Sequence, residues 1–247
     1  MPRYRLILEY DGTGLVGWQR QKNGLSVQEI IETAVERYCG AATTVHGAGR
    51  TDAGVHALGQ AAHLDLPRDA EPEEIRGALN HHMRPHAVAV LGVERVVAGF
   101  HARTSARGRR YRYRILNRRA PPVLDRDRVW HIGPPLDLEA MQEAACYLIG
   151  KHDFSTFRDA LCQAKSPVKT LDALELVRVS EEIVIEARAR SFLHHQVRNI
   201  VGTLKLVGIG QWQPTRVQRA LEQRDRRAGG PTAPPQGLYL VEVVYPA

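Results

Sequence analysis

The sequence predicts an α/β fold in which each half of the chain combines strands with helices. Segments whose apolar residues alternate have the two-residue period of a strand, and segments whose apolar residues recur at helical spacing lie between them. A poorly periodic stretch, Val97 to Gly108, separates the two halves, so we predict domains at residues 1–105 and 106–247. The 247 residues are enough for one large core or two modest ones.

The first half is predicted to contain three strands and two helices. Tyr4 to Tyr10 alternates as a strand. In the next segment Ser26 stands three residues before Glu29, which is typical of a capping box, and Gly40 supplies a C-terminal stop for the helix between them. The remaining predicted elements are a strand at 61–66, a helix at 72–82 that begins with a proline, and a strand at 87–97.

The second half repeats this mixture and ends in a strand. Its predicted elements are a strand at 110–116, a helix capped by Asp137 and reaching Gly150, strands at 171–180 and 183–190, a helix from about His194, a short helix from Pro214 to Gln223, a charged loop at 224–235, and a strand at 238–245. In the helix from His194, spacing places Arg198 and Gly202 on the polar side, with Arg198 at the edge of the core.

The charge of the chain favours nucleic acid as its partner. The net charge is +7 and the isoelectric point is near 9.6. Seven of the thirteen residues from Arg107 to Arg119 are arginines, whose planar guanidinium groups suit phosphates and stack on bases. Arginine richness can also reflect the base composition of a genome, but local clustering of this kind predicts strongly salt-dependent binding.

Cysteines and hydropathy favour a cytoplasmic protein with no membrane segment. Cys39, Cys146 and Cys162 are odd in number and lack C-x-x-C spacing, which is typical of reduced thiols. Residues 1–11 carry charges within their apolar run, so they do not resemble a signal peptide. Neither a P-loop nor a Rossmann glycine pattern occurs, which gives no support to nucleotide hydrolysis or hydride transfer.

The segment Gly49-Arg50-Thr51-Asp52-Ala53-Gly54-Val55-His56 is the strongest candidate for a catalytic loop. It places one carboxylate, Asp52, between a cation and two glycines that permit positive φ and close approach of a ligand. Arg50 suits the gripping of a phosphate. The same residues are also compatible with an ordinary Asx turn, so the local pattern leaves both interpretations open.

Two further segments carry side chains suited to RNA chemistry. Tyr111, within Arg110-Tyr111-Arg112-Tyr113, could stack on an extruded base, although a strand tyrosine that covers core is an equal alternative. Arg198 could keep Asp52 ionised if the two halves face each other, or it could pair with a local acid. His194 and His195 are more consistent with hydrogen-bonded structural histidines or with RNA contacts than with a metal site, because acidic and cysteine ligands do not cluster beside them in the sequence.

Six segments in this order and spacing closely resemble the TruA family of tRNA pseudouridine synthases. They are Glu9-Tyr10-Asp11-Gly12 with Gly17-Trp18-Gln19-Arg20-Gln21, the segment 49–56, Phe100-His101-Ala102-Arg103, Arg110-Tyr111-Arg112-Tyr113, residues 194–202, and Gly237-Leu238-Tyr239-Leu240. Each segment alone is a weak signal, whereas the ordered set spans nearly the whole chain and is highly specific.

The resemblance implies isomerisation of uridine to pseudouridine at positions 38, 39 and 40 of tRNA, in the anticodon stem-loop, without a cofactor or metal. Asp52 matches the family's catalytic aspartate and Tyr111 its base-stacking tyrosine. Arg198 matches the basic residue paired with the aspartate, and Arg50 the arginine that helps extrude the nucleotide. Arg110, Arg112, His194 and His195 are then expected to contact the RNA.

The resemblance also implies two similar α/β domains that face each other across a basic cleft. Each would hold a mixed, largely antiparallel sheet with helices on one face, and the enzyme would be a homodimer. Two rival functions remain: a non-catalytic RNA-binding module, which gives Asp52 no task, and a metal-dependent nuclease that uses Asp52 with His194 and His195.

Overall fold

The computed structural model describes residues 1–246, and contacts divide the chain into two compact units. Unit 1 consists of Met1–Arg107 together with the segment that begins at Tyr239, and unit 2 is Gly108–Leu238. The division after Arg107 lies close to the predicted boundary at 105/106. The final segment groups with unit 1, whereas the sequence alone suggests that it belongs to the second domain. Unit 1 is therefore discontinuous in sequence.

Both strands and helices occur in each part of the described chain. Residues 1–107 form β1 (Arg3–Tyr10), α1 (Val27–Cys39), β2 (His46–Gly47), β3 (His56–Asp65), α2 (Pro72–His82) and β4 (Val88–Val96). The following residues form β5 (Gly108–Leu116), β6 (Trp130–His131), α3 (Leu138–Cys146), β7 (Gly150–Asp153), β8 (Val168–Val179), β9 (Glu182–Ala189), α4 (Gln196–Gly208), α5 (Thr215–Gln223) and β10 (Leu238–Val244). Short 3-10 helices occupy Ser155–Phe157, Arg226–Ala228 and Pro235–Gly237.

The strands of unit 1 run in the order β4, β1, β3, β10. The β1 strand pairs antiparallel with both β3 and β4, and β2 pairs antiparallel with β3. The exception is β10, which lies parallel to β3 with Tyr239 opposite His56 and Leu240 opposite Ala57. The return of the chain's last strand to its first sheet explains why residues from Tyr239 onward belong to unit 1.

One face of β1 is buried in the core of unit 1. Tyr4, Leu6, Leu8 and Tyr10 are almost fully buried, and the residues between them are partly or fully exposed. This alternation matches the strand period that the sequence predicts. Helices α1 and α2 contact each other and contribute their apolar faces to the same core.

The caps of α1 form as the sequence predicts. The Ser26 hydroxyl accepts a hydrogen bond from the Glu29 N–H at 3.2 Å, which satisfies one of the donors left over at the first turn. At the other end Gly40 adopts the left-handed conformation, with φ at 71°, and ends the helix. The predicted bounds of α2, residues 72–82, are also confirmed.

The strands of unit 2 run in the order β5, β9, β8, β7, and each neighbouring pair is antiparallel. A short parallel pairing adds β6 to β5. In the β5–β9 register Tyr111 lies opposite Ala187, and Arg112 lies opposite Glu186. Helix α3 packs on β8 and on α4. The predicted fold class, α/β with largely antiparallel strands and helices in each half, is confirmed.

Helix α4 is buried on more sides than its sequence suggests. Gly202, which the helical spacing places on the polar side, is buried, and a Cβ there would lie 1.8 Å from the Pro231 carbonyl oxygen. That assignment was wrong because a loop distant in sequence covers this face, and periodicity within one helix cannot reveal such a cover. The predicted helix at Asp137 also ends earlier, at Cys146, since Gly150 already begins β7.

Within residues 1–246 no helix combines the length and apolarity that a membrane span requires.

A buried histidine makes the stability of unit 1 depend on pH. His63 is 2% exposed, stacks on His46, lies against the tilted ring of His101, and accepts a hydrogen bond from the Ala102 N–H at its Nδ1 atom. Burial, reinforced by repulsion from the neighbouring imidazoles, lowers the pKa of His63 from 6.5 to about 4. The folded protein therefore keeps His63 neutral at pH values where an unfolded chain binds a proton.

We expect His63 to stabilise the fold fully above pH 6.5 and progressively less as the pH falls toward 4, because only the unfolded chain takes up the proton there. The loss reaches up to about 3 kcal/mol. Urea unfolding of the wild type and of His63→Gln between pH 7 and 4 measures it. The difference between their unfolding free energies should shrink on acidification, and a constant difference would contradict the assignment.

Candidate functional site

The segment around Asp52 is a loop that connects β2 to β3 and is anchored on both sides of the carboxylate. The Thr51 carbonyl accepts a hydrogen bond from the Trp18 N–H at 3.0 Å, and the Thr51 hydroxyl lies 2.9 Å from the Tyr10 hydroxyl. The Val55 N–H donates to the Asp52 carbonyl at 3.1 Å, which closes a turn. Thr51 and Val55 are buried, so the half-exposed Asp52 projects from a fixed backbone.

Two glycines lie directly beneath this loop. A Cβ at Gly12 would lie 2.2 Å from the Val55 carbonyl oxygen, and a Cβ at Gly17 would lie 2.4 Å from the Thr51 carbonyl oxygen. Gly17 also has a φ of 100°, a conformation that side-chain-bearing residues rarely adopt. Both glycines belong to the first sequence motif, so the backbone of that motif packs directly against the Asp52 loop.

The glycines within the loop differ in conformation. Gly54 has a φ of 75°, and its N–H donates to the Leu15 carbonyl at 3.3 Å. Gly49 does not adopt a positive φ, and a Cβ there would meet nothing within 4 Å. Of the two glycines that flank Asp52, only Gly54 is thus used for the left-handed turn.

Arg50 is exposed on the same loop and is held by the first motif. Its Nε atom donates to Gln19 Oε1 at 3.2 Å, and Gln19 Nε2 donates in turn to Gln28 Oε1 at 2.7 Å. This chain orients the guanidinium without neutralising it, because both partners are uncharged amides. Arg50 therefore keeps its positive charge at the rim of the loop.

In unit 2, Tyr111 and the neighbouring arginines lie on opposite faces of β5. Tyr113, two residues along the strand, is buried, and Tyr111 shares its face and is partly exposed at the start of the strand. The ring of Tyr111 makes an edge-to-face contact with Phe192, with centroids 5.1 Å apart and planes at 87°. Phe192 thus holds the Tyr111 ring in place while part of that ring stays exposed.

Arg110 and Arg112 lie on the other face of β5, where they contact a glutamate of the neighbouring strand β9. Arg112 donates to Glu186 Oε1 through Nε at 2.9 Å and through its terminal nitrogen at 2.6 Å. Arg110 approaches the second oxygen of the same carboxylate at 3.5 Å. One glutamate thus offsets part of the charge of two arginines that the sequence suggests for RNA contact.

Helix α4 presents two histidines at its start. His195 is the N-cap residue and has a φ of 59°, which is uncommon for a residue other than glycine. Its Nδ1 atom lies 2.7 Å from Asp159 Oδ2, and the neighbouring His194 ring lies with its centroid 4.0 Å away. Burial acts to raise the pKa of Asp159, but hydrogen bonds from the Leu161 N–H and from His195 outweigh it and lower the pKa below its usual value.

Arg198, in the first turn of α4, is half-buried and held by the segment before β10. Its Nε atom donates to the Ala233 carbonyl at 2.8 Å, while the Ala233 N–H donates to the Arg198 carbonyl at 3.1 Å. Burial raises the pKa of Tyr113 strongly, and the positive charge of Arg198 partly opposes that rise. Arg198 is therefore near the tyrosine face of β5.

The structure groups the candidate residues by unit. Asp52 and Arg50 share one loop of unit 1, whereas Tyr111, Arg198, His194 and His195 belong to β5 and the start of α4 in unit 2.

Three contacts of these residues escape prediction from the sequence. Gln19 lies in a recognised motif, so a polar role for it could have been suspected. Glu186 becomes a partner of the arginines only through the β5–β9 register. Asp159 lies in a loop without periodicity, and nothing in its local sequence points to His195.

The chain is similar to known proteins over most of its length. The family model described as tRNA pseudouridine synthase matches residues 6–103 and 144–246. The tRNA pseudouridine synthase A of Paramagnetospirillum magneticum is 63% identical over 247 residues, which cover 100% of this chain and 96% of that protein. Proteins of the same name from Rhodospirillum rubrum (59% identity, 100% and 88% coverage) and Rhodospirillum centenum (60% identity, 99% and 100% coverage) are also similar. The chain therefore belongs to the tRNA pseudouridine synthase family.

Proposed function

We propose that this chain isomerises uridine to pseudouridine at positions 38, 39 and 40 of tRNA, in the anticodon stem-loop. Members of the pseudouridine synthase family are isomerases, and the relatives that share about 60% of its residues carry tRNA in their names. The observation that carries the proposal is the Asp52 loop, in which a half-exposed carboxylate projects from a backbone anchored on Gly12 and Gly17.

The reaction breaks the bond between N1 of the base and C1′ of the ribose and forms a bond from C5 to C1′. The C5 hydrogen leaves as a proton and N1 gains one, so the atoms balance without an external reagent. The enzyme must hold the detached base while it turns, and fixed side chains do this better than mobile ones. An ionised Asp52 is suited to attack the ribose, to attack the base, or to remove a ribose proton.

We assign the other roles as follows. Tyr111 stacks on the extruded base, because its ring is braced by Phe192 and partly exposed. Arg198 supplies the cation that keeps Asp52 ionised, and the charge of Arg50, oriented by Gln19, helps to hold the nucleotide out of its stack.

Further RNA contacts are assigned to Arg110, Arg112, His194 and His195. Because Glu186 already pairs with both arginines, we expect each of them to add less to affinity than Arg50 does. We further propose a homodimer, as the resemblance implies, and a cytoplasmic location. The three cysteines, which are unpaired among the described residues, support a reducing compartment.

The direct test uses unmodified tRNA and the purified protein without added metal. Pseudouridine is detected by chemical derivatisation, its position is mapped by primer extension, and strand integrity is followed on a gel. The proposal requires pseudouridine at 38, 39 or 40 in intact tRNA. Binding without conversion would favour the RNA-binding module, and chelator-sensitive fragments would favour the nuclease.

Tyr111 offers a test that separates stacking from proton transfer. We expect Tyr111→Ala to lower kcat/KM by about tenfold or more, because stacking on a nucleobase is worth about 1–3 kcal/mol. Tyr111→Phe keeps the ring and loses the hydroxyl, so it distinguishes the two roles. Single-turnover kinetics for both variants measure this. If the phenylalanine variant behaves like the wild type, stacking is the only role of Tyr111. If the alanine variant behaves like the wild type, the assignment of Tyr111 is contradicted.

A further inference from the structure

Asp159 lies outside the recognised motifs but contacts one of them. It follows the 3-10 helix Ser155–Phe157, and its Oδ2 atom lies 2.7 Å from Nδ1 of His195. Its other oxygen, Oδ1, lies 3.6 Å from Nδ1 of His194. A single carboxylate therefore faces both histidines at the start of α4.

The backbone fixes Asp159 against α4. Its N–H donates to the His194 carbonyl at 3.1 Å, and its Oδ1 atom accepts from the Leu161 N–H at 2.8 Å. Nearby, the His194 N–H approaches the sulfur of Cys162 at 3.4 Å. These contacts tie the loop to the helix start on both sides of the carboxylate, so Asp159 has little freedom to turn away from His195.

His195 is held in an uncommon conformation. Positive φ at a residue other than glycine costs about 1 kcal/mol or more and persists where the surroundings enforce it. The His195 carbonyl accepts the Asn199 N–H at 2.8 Å, which fixes the first turn of α4. The side chain is held at the other end by Asp159, so both the backbone and the ring of His195 are constrained.

The Asp159 contact also determines which nitrogen of His195 carries a proton. An ionised carboxylate only accepts hydrogen bonds, so Nδ1 of the ring must be the donor. The lowered pKa of Asp159 means that this carboxylate is ionised at neutral pH. The Asp159 contact therefore fixes both the tautomer and the orientation of the His195 ring.

We propose that Asp159 is a positioning residue that orients His195 for binding of the tRNA. This inference rests on the proposed function, because it assumes that tRNA is the substrate. Asp159 itself is not a catalytic residue. It acts through the imidazole, as a carboxylate does when it fixes the tautomer and orientation of a functional histidine.

A double-mutant cycle tests the inference. Asp159→Asn, His195→Gln and the double variant are compared for the KM and kcat of pseudouridine formation and for tRNA affinity by filter binding. We expect Asp159→Asn to raise KM and the dissociation constant about threefold to tenfold, with kcat changed less than twofold. If Asp159 acts through His195, the double variant should be no worse than His195→Gln alone.

Asp153→Asn is the matched control. Asp153, like Asp159, accepts a hydrogen bond from the N–H two residues further along the chain, here that of Ser155 at 2.9 Å. Its carboxylate lies near Arg224 rather than near a histidine. This variant should bind tRNA like the wild type. Asp159→Glu keeps the negative charge and should bind tRNA more tightly than Asp159→Asn. This variant also provides a second test of the inference if Asp159→Asn folds poorly. Thermal unfolding of all variants identifies a folding defect.

The outcomes are distinguishable. Additive effects of Asp159→Asn and His195→Gln would overturn the inference, as would an effect of Asp159→Asn equal to that of Asp153→Asn. Either result leaves the proposed function intact if the wild type still forms pseudouridine. A wild type that forms none would instead refute the proposed function.

Discussion

Replacing Asp52 by asparagine is expected to lower pseudouridine formation by about a thousandfold or more while leaving tRNA affinity within a few-fold of the wild type. The amide has nearly the same shape, so the anchored loop need not move. It lacks the negative charge, however, and is a poor nucleophile and a poor base. Single-turnover assays with excess enzyme measure the chemical step, and filter binding measures the affinity.

A matched control for this variant is Asp172→Asn. Asp172 is an exposed aspartate of β8, so the same chemical change there should leave turnover unaltered. Turnover retained by Asp52→Asn would remove the carboxylate from the mechanism. Loss of both turnover and binding would indicate that Asp52 holds the substrate or the loop rather than reacting.

The second large effect is expected from Gly17→Ala, with Gly12→Ala close behind. A methyl group at Gly17 would lie 2.4 Å from the Thr51 carbonyl oxygen and 2.9 Å from the Asp52 carbonyl carbon. The variant would also place alanine at a φ of 100°. The loop must shift, so we expect kcat to fall at least about a hundredfold, since small displacements of reacting groups are that costly. Overpacking should also cost about 1–3 kcal/mol of stability.

Gly77→Ala is the control for these glycine variants. Gly77 is exposed within α2, and a Cβ there would meet nothing within 4 Å. Alanine favours a helix over glycine by about 1 kcal/mol, so this variant should be as stable as the wild type or more stable, with full activity. Thermal unfolding and single-turnover rates report both quantities. Full activity in Gly17→Ala and Gly12→Ala would contradict the inference that close packing of these glycines holds the Asp52 loop in place.

The longer elements follow from the sequence because their signals are local. The period of β1, the caps of α1 and the proline at the start of α2 are each set by residues within a few positions of one another. The short strands β2, β6 and β7 have two to four residues, too few for a period to show. They form because longer partners offer hydrogen bonds. The burial of Gly202 likewise depends on a loop about thirty residues further along the chain.

The sequence motifs identify the candidate residues of the site, but they do not identify the residues that hold those side chains in place. Glycine, arginine and aspartate in one polar segment indicate a loop with chemistry, and the structure adds that Gly12 and Gly17 lie beneath it. Glu186 meets Arg112 only through a strand register, and Asp159 meets His195 only through the path of an irregular loop. Contacts that depend on tertiary folding leave no period or spacing in the sequence.

The parallel pairing of β10 with β3 has a consequence for biosynthesis. The ribosome makes β3 well before β10, with nearly all of unit 2 translated in between. At typical elongation rates the interval is on the order of ten seconds. Throughout that interval the nascent sheet lacks the neighbour that later covers His56 and Ala57, the residues that directly follow the Asp52 loop. The strand that follows the Asp52 loop can therefore complete its pairing only after the residues of β10 have left the exit tunnel.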